Sequence, residues 1–226
     1  MAIAYSSVTL SATDPNNTST SVDFPASPPA GAAWLVVGAK DDDVAWSGVP
    51  SGWGTAIFDV SEAAQCRLTA WLFADDAPTD PDTISHDNES TEFAVILITG
   101  ADTADLLEAV NTDQSVGNDA GPINCPSVTP TNSNTLVFRI GMVDARTITN
   151  GAANNIVDID AGDTQQVGLA ISWEAGPAGG NPTGAATDFT IGGTDGWIGA
   201  TVAVNEDAGG AAATHPGWMQ SKGGWW

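Results

Sequence analysis

The side chains with which this 226-residue chain could do chemistry are 28 Asp and Glu, two His, two Cys and nine Trp, set against five Lys and Arg. A Ser/His/Asp or Cys/His arrangement needs a histidine beside a nucleophile. His86 lies in the acidic stretch "ISHDNES" and His215 in "THPGW", and neither adjoins a nucleophile motif. A glycosidase needs two carboxylates at a set separation, but abundance alone does not single out a pair. No catalytic residue is assigned, and the chain is not expected to be an enzyme. Cys66 falls inside an apolar run and Cys125 in a Pro-flanked loop. Without CxxC spacing they make neither a zinc site nor a disulfide framework, and they are read as buried thiols.

Hard oxygen ligands are plentiful. The stretch "DIDAGD" (158–163) places Asp158, Asp160 and Asp163 around Gly162, on the kind of acidic turn that calcium takes. As an EF-hand loop it fails: the glycine is one place early, and Leu169 stands where a bidentate Glu is required. Asp41, Asp42 and Asp43 follow a strand pattern and read as a solvated loop. No metal and no cofactor is expected.

The tryptophans divide by context. Trp34, Trp71, Trp173 and Trp197 sit in strand-like runs and read as inward-facing core. Trp46 and Trp53 flank the turn "SGVPSG", where they either cap the end of the fold or project as a candidate carbohydrate-binding platform; the cap is the first reading. Trp218, Trp225 and Trp226, with Met219, lie in "AGGAAATHPGWMQSKGGWW" (208–226), a Gly- and Ala-rich stretch with no interior of its own. These four are the candidate partner-binding residues, inserted into a neighbouring subunit or, alternatively, folded back on their own domain.

The elements that must position these residues are strands. Period-two, β-branched and aromatic runs occur at 32–40, 66–75, 92–100, 134–144, 167–176 and 197–207, with weaker runs at 3–12, 55–60 and 187–192 that would add edge strands, for about eight to ten in all. Between them lie loops rich in Pro, Gly, Asn and Asp, such as "DDAPTDPDT" and "EAGPAGGNPTGAATD". Only "DTADLLEAV" (102–110) has a helical period and a capping Asp, enough for at most two turns. No internal repeat is visible. The expected fold is all-β: a two-sheet antiparallel β-sandwich, jelly-roll-like, over residues 1–207, with a flexible C-terminal arm at 208–226.

A formal net charge of −23 sets the field around such a molecule against phosphate backbones and anionic lipid heads, so neither nucleic acid nor a membrane is an expected partner. No stretch approaches the ~20 apolar residues of a membrane span. "MAIAYSSVTLSATD" lacks a basic start and a long apolar run, and reads as the start of a protein made in the cytoplasm.

The order "PPAGAAWLVVGAK", "VPSGW", "RLTAWLFADDAP", "EFAVILITGAD", "PSVTPTNSNTLVFRIGMVDA" and "GWIGATVAVNED" resembles the jelly-roll or β-sandwich domain that recurs in tailed-phage virion proteins. The likeness covers about residues 22 to 205. It departs from the pattern in "DTADLLEAV" and in the Trp-bearing tail. What it implies is a virion structural protein, made in the host cytoplasm, without the position it occupies in the virion. A small chain with no fibre shaft and an adhesive terminus points in the first instance to a head decoration protein on the capsid lattice, with a neck, tail or fibre component as the alternative. Its implied partners are the major capsid protein or neighbouring structural subunits, together with further copies of itself. The rival from another class is a carbohydrate-binding adhesin using Trp46 and Trp53. Fold is carried by such a likeness far better than role.

Overall fold

The computed structural model describes residues 2–13, 17–62, 65–75, 78–159 and 167–207. The candidate partner-binding residues of the tail and the Asp160–Asp163 part of "DIDAGD" lie outside the described residues. Within them the chain is all-β and antiparallel, with one 3-10 turn at Ser51–Trp53. The strands are β1 (Ala4–Thr13), β2 (Ser19–Val22), β3 (Ala33–Lys40), β4 (Phe58–Glu62), β5 (Cys66–Ala74), β6 (Asp82–Ser85), β7 (Thr91–Thr99), β8 (Leu107–Gln114), β9 (Ile123–Cys125), β10 (Thr135–Val143), β11 (Ile148–Asn150), β12 (Asn155–Ile159), β13 (Gly168–Ala175), β14 (Ala186–Ile191) and β15 (Trp197–Asn205).

Two five-stranded sheets, ordered β1-β7-β3-β5-β4 and β12-β13-β10-β15-β8, pack face to face. Their inner faces alternate along each strand, as a pleated strand requires. Leu35, Val37 and Ala39 of β3 meet Phe138, Ile140 and Met142 of β10 in one central core. Each sheet is also covered on its outer face. The β2-β6 ladder and the loops around it bury Trp34, Val36, Trp71 and Phe93 of the first sheet. The β11-β14-β9 sheet buries Val143, Ala170 and Trp197 of the second. Strands with both faces covered read as nearly unbroken apolar runs, which is why "AWLVVGAK" and "TLVFRIGMV" are buried at every position.

The second half of the chain repeats the strand path of the first. Reading β8, β9, β10, β12, β13, β14 and β15 for β1 to β7 turns the order β1-β7-β3-β5-β4 into β8-β15-β10-β13-β12, the observed second sheet. The cover strands match too, β2-β6 with β9-β14, and β11 is the one addition. In each half the first strand pairs with the last, the second with the last but one, and the third again with the last, which is the nested wrapping of a jelly roll. Gly38 of β3 and Gly141 of β10 are equivalent positions. At each, a Cβ would fall within 2.6 Å of a phenylalanine ring, Phe93 of the neighbouring strand β7 in one half and Phe189 of the cover strand β14 in the other. The expectation of no internal repeat is therefore corrected: the repeat lies in topology and register, since burial on a sheet face asks only for apolar residues of about the right size.

Three further expectations change. The helical turn in "DTADLLEAV" is replaced by a turn at Asp102, whose Oδ1 accepts the Ala104 N–H (3.0 Å), followed by strand β8 on the edge of β15. A nine-residue helix is marginal by itself, and the open edge of β15 offers a full ladder. Trp34, Trp71 and Trp197 are buried, but under the outer covers rather than between the sheets, while Trp173 is half-buried at the sandwich edge beside Tyr5. The strands β2, β6, β8, β9, β11 and β12 exceed the expected eight to ten; most are three to five residues long and sit within polar stretches.

Candidate functional site

The two candidate sugar-stacking tryptophans lie in the same cluster, the core between the first sheet and its cover. Trp53 is 2% exposed. Its ring stacks with Phe73 at 6.3 Å and meets Trp71 edge-on at 5.3 Å, and its Nε1 donates to Asp82 Oδ2 (3.0 Å). Trp46 is half-buried, packs against Trp71 and Phe93, and donates from Nε1 to Thr69 Oγ1 (2.8 Å). Both indole N–H groups are spent inside the fold, the arrangement expected of a cap. Beside Trp53 the surface dips into a cavity of about 440 Å³, lined also by Pro50, Phe73, Thr79 and Asp82.

His86 is buried in the same half. Its Nε2 lies 2.9 Å from Thr20 Oγ1 and its Nδ1 lies 2.6 Å from the Asp87 carbonyl. Burial holds its pKa below the ordinary value, so it stays a neutral, hydrogen-bonded core histidine. Cys66 and Cys125 are both buried and neither is in a disulfide. Burial, reinforced by the carboxyls of Asp144 and Glu62, pushes the Cys66 thiol well above its ordinary range, away from nucleophilic use.

The feature that sequence reading passed over is a concentration of acid at one end of the sandwich. The alternation of β3 and β10 carries one residue past each strand, so that Asp41 continues the inward face of Leu35, Val37 and Ala39, and Asp144 that of Phe138, Ile140 and Met142. They are equivalent positions in the two halves. The Asp41 N–H donates to the Ser90 carbonyl (3.1 Å) and the Asp144 N–H to the Gly196 carbonyl (2.9 Å). The two carboxyls meet across the sandwich. Burial and then the hydrogen bond to Asp144 push Asp41 up to about 8, so that one proton is shared by the pair at neutral pH. Reading Asp41–Asp43 as a solvated loop is thus corrected for Asp41. The alternation itself held the signal, had it been continued past the last apolar residue.

Around this pair stand Glu62 at the end of β4, Asp195 just before β15, and a second acidic group of Asp42, Asp87 and Glu89, whose carboxyl oxygens lie within 4.8 Å of one another. That second group already has its cation. The fully buried Lys40 ammonium sits 2.7 Å from Asp42 Oδ1 and 2.5 Å from Asp87 Oδ1, with the Trp46 ring 5.3 Å away. The other described cations are paired as well: Arg67 with Asp59, Arg139 with Glu174 and Arg146 with Asp195.

Comparison of the chain with family models, with characterised proteins and with solved structures finds no match.

Proposed function

We propose that this protein is a non-enzymatic virion structural subunit of a tailed phage, a head decoration protein that grips the capsid lattice through Trp218, Met219, Trp225 and Trp226. The observation that carries the reading is that the fold is already closed at Asp207. The Glu206 N–H donates to Asn134 O (3.1 Å) and the Asp207 N–H to Gly100 O (2.9 Å), tying the chain down at one end of the sandwich. Among the described residues the large exposed apolar side chains are Leu10, Val44 and Val116, which are scattered in sequence. The core of the described residues is packed with aromatics of its own, and on this reading the tryptophans at 218, 225 and 226 serve an interface. Each buried indole removes on the order of 150–250 Å² from water, an upper bound of roughly 4–6 kcal/mol before ordering costs. Ordering about a dozen residues costs a comparable amount, so affinity depends on the fit of the receiving groove.

The net charge of −23 and the pairing of all four described cations favour protein partners over nucleic acid. Deleting 208–226 is expected to leave a folded protein that no longer incorporates into virions. Normal incorporation of the truncated protein, or its failure to fold, refutes the arm. A neck or tail position is the alternative, decided by locating the subunit on the particle by electron microscopy. The adhesin alternative draws on the cavity beside Trp53. Clear glycan-array hits that disappear on Trp53→Ala, in a variant still folded by circular dichroism, would favour it.

A further inference from the structure

The Asp42–Asp87–Glu89 group is neutralised by Lys40, and the cavity beside Trp53 belongs to the reading above. The β4–β5 turn is different. Its Gln65 N–H donates to the Glu62 carbonyl (2.9 Å), which brings both side chains to the same corner. Each is then oriented by one bond to the 117–118 segment: Glu62 Oε1 accepts the Gly117 N–H (3.0 Å), and Gln65 Nε2 donates to Asn118 Oδ1 (2.8 Å). That leaves Glu62 Oε2 and Gln65 Oε1, both buried and both without a hydrogen-bond partner. Glu62 as a whole is 1% exposed.

Both orphaned oxygens point at the same place. They lie 2.7 and 2.5 Å from where a Cβ on Gly196 would stand. Gly196 follows Asp195, whose Oδ1 accepts the Gly196 N–H (3.1 Å), and its carbonyl takes the Asp144 N–H. Asp144 Oδ1 is likewise buried and takes no N–H, while the Asp144 carboxyl shares a proton with Asp41. Two acceptors, one oriented by the donor it meets on its other oxygen and one by its own amide N–H, are set against the same glycine and lack only a positive centre. The nearest cation, Arg146, is committed to Asp195 Oδ2 at 3.2 Å.

We propose that a calcium ion binds at this corner, with Glu62 Oε2 and Gln65 Oε1 as its first protein ligands. Calcium accepts carboxylate and amide oxygens together, in flexible geometry and with waters filling the remaining positions. Magnesium demands a near-ideal octahedron and gives up its waters reluctantly. Zinc prefers nitrogen and sulfur. Any side chain at Gly196 would force the two oxygens apart, and as placed they are no farther from each other than two ligands of one calcium ion. The ion joins the β4–β5 turn of the first half to the strand ends of the second, clamping the sandwich at its acidic end. This revises the expectation of no metal site, and it stands apart from "DIDAGD".

The test uses the full chain, stripped with EDTA and melted with and without added metal. About 1 mM calcium is expected to raise the melting temperature by on the order of 5 °C, and the same magnesium by much less. Glu62→Gln should melt no lower than the wild type in EDTA, because a buried unpaired carboxylate is removed, and should lose the calcium response. Gln65→Ala should weaken that response, and Asp160→Asn with Asp163→Asn should keep it. Three results overturn the proposal: no calcium response in the wild type, a response lost in the Asp160/Asp163 variant but kept in Glu62→Gln, or a zinc response larger than that to calcium. In the first case a turned-over Gln65 amide donating to Glu62 accounts for both oxygens.

Discussion

Lys40 is the most deeply buried of the four described cations, and its ammonium pairs with two acids at once. Removing one partner of a buried ion pair costs about 3–5 kcal/mol, since the remaining charge stays behind uncompensated. Asp42 and Asp87 keep part of their surface in water, so Lys40→Met is expected to cost about 3 kcal/mol in urea denaturation at pH 7. The loss should shrink near pH 4 as the acids take up protons, and a loss that does not change with pH would mean that packing, not charge, is what Lys40 supplies. Glu92 makes the opposite case. It lies on the inward face of β7 with Ala94 and Ile96, and burial alone pushes its carboxyl from 4.5 up to about 7. Between those values the unfolded chain has lost a proton that the folded chain keeps. Stability therefore falls as pH rises through that window and stays at the lower level above it. Glu92→Gln is expected to stabilise by about 2 kcal/mol at pH 8, after allowing for water at a half-buried site, and to change little at pH 4. Equal melting of the two proteins at pH 8 would show that Glu92 finds a partner in solution.

Among the elements, the long strands were legible because covering both faces of a sheet demands apolar runs, and such runs are the strongest periodic signal in a sequence. The short cover strands were not. β9 has three residues and β11 three, too few for an alternation to register, and they form because a sheet already stands beneath them. Gly199 shows how closely that cover sits. A Cβ there would fall 2.1 Å from the Asn124 carbonyl oxygen of β9, a backbone atom that can move only with its strand. Gly199→Ala is expected to cost about 1–3 kcal/mol and to loosen β9 before the central core opens. Amide exchange would check this: faster exchange in β9 and β14 than in β10 supports it, and uniform change across the strands contradicts it. β8 teaches the reverse lesson about local signals, for a helical period in nine residues yields to an unpaired strand edge when tertiary contacts are made.

At the scale of the whole molecule, the two jelly-roll-like halves share one central core, so neither buries its inner face without the other. The first half alone, residues 1–101, would expose Leu35, Val37, Leu68, Ile96 and Ile98 on a single sheet. An apolar face of that extent does not stay in water. Because the second half has the same strand path, the expected outcome is that the fragment pairs with a second copy of itself, read as a dimer by light scattering, or aggregates. A stable folded monomer would mean that the halves are independent domains. Paired cations and net charge act at this scale as well: with every described cation answered by a carboxylate, binding to duplex DNA at physiological salt is not expected.

From the residues alone came the all-β class, the nine principal runs that became strands, the loops between them, the acidic field and the change of composition after residue 207. These are properties of composition and of period, and each is local enough to survive without knowing what lies opposite. The duplication, the outward burial of Trp34, Trp71 and Trp197, the meeting of Asp41 with Asp144, and the convergence of Glu62 and Gln65 on Gly196 required the tertiary structure. Each depends on which strand ends come together across the sandwich. Residues such as Glu62 and Gly196 are separated by more than a hundred positions in the chain, and no local pattern records that pairing.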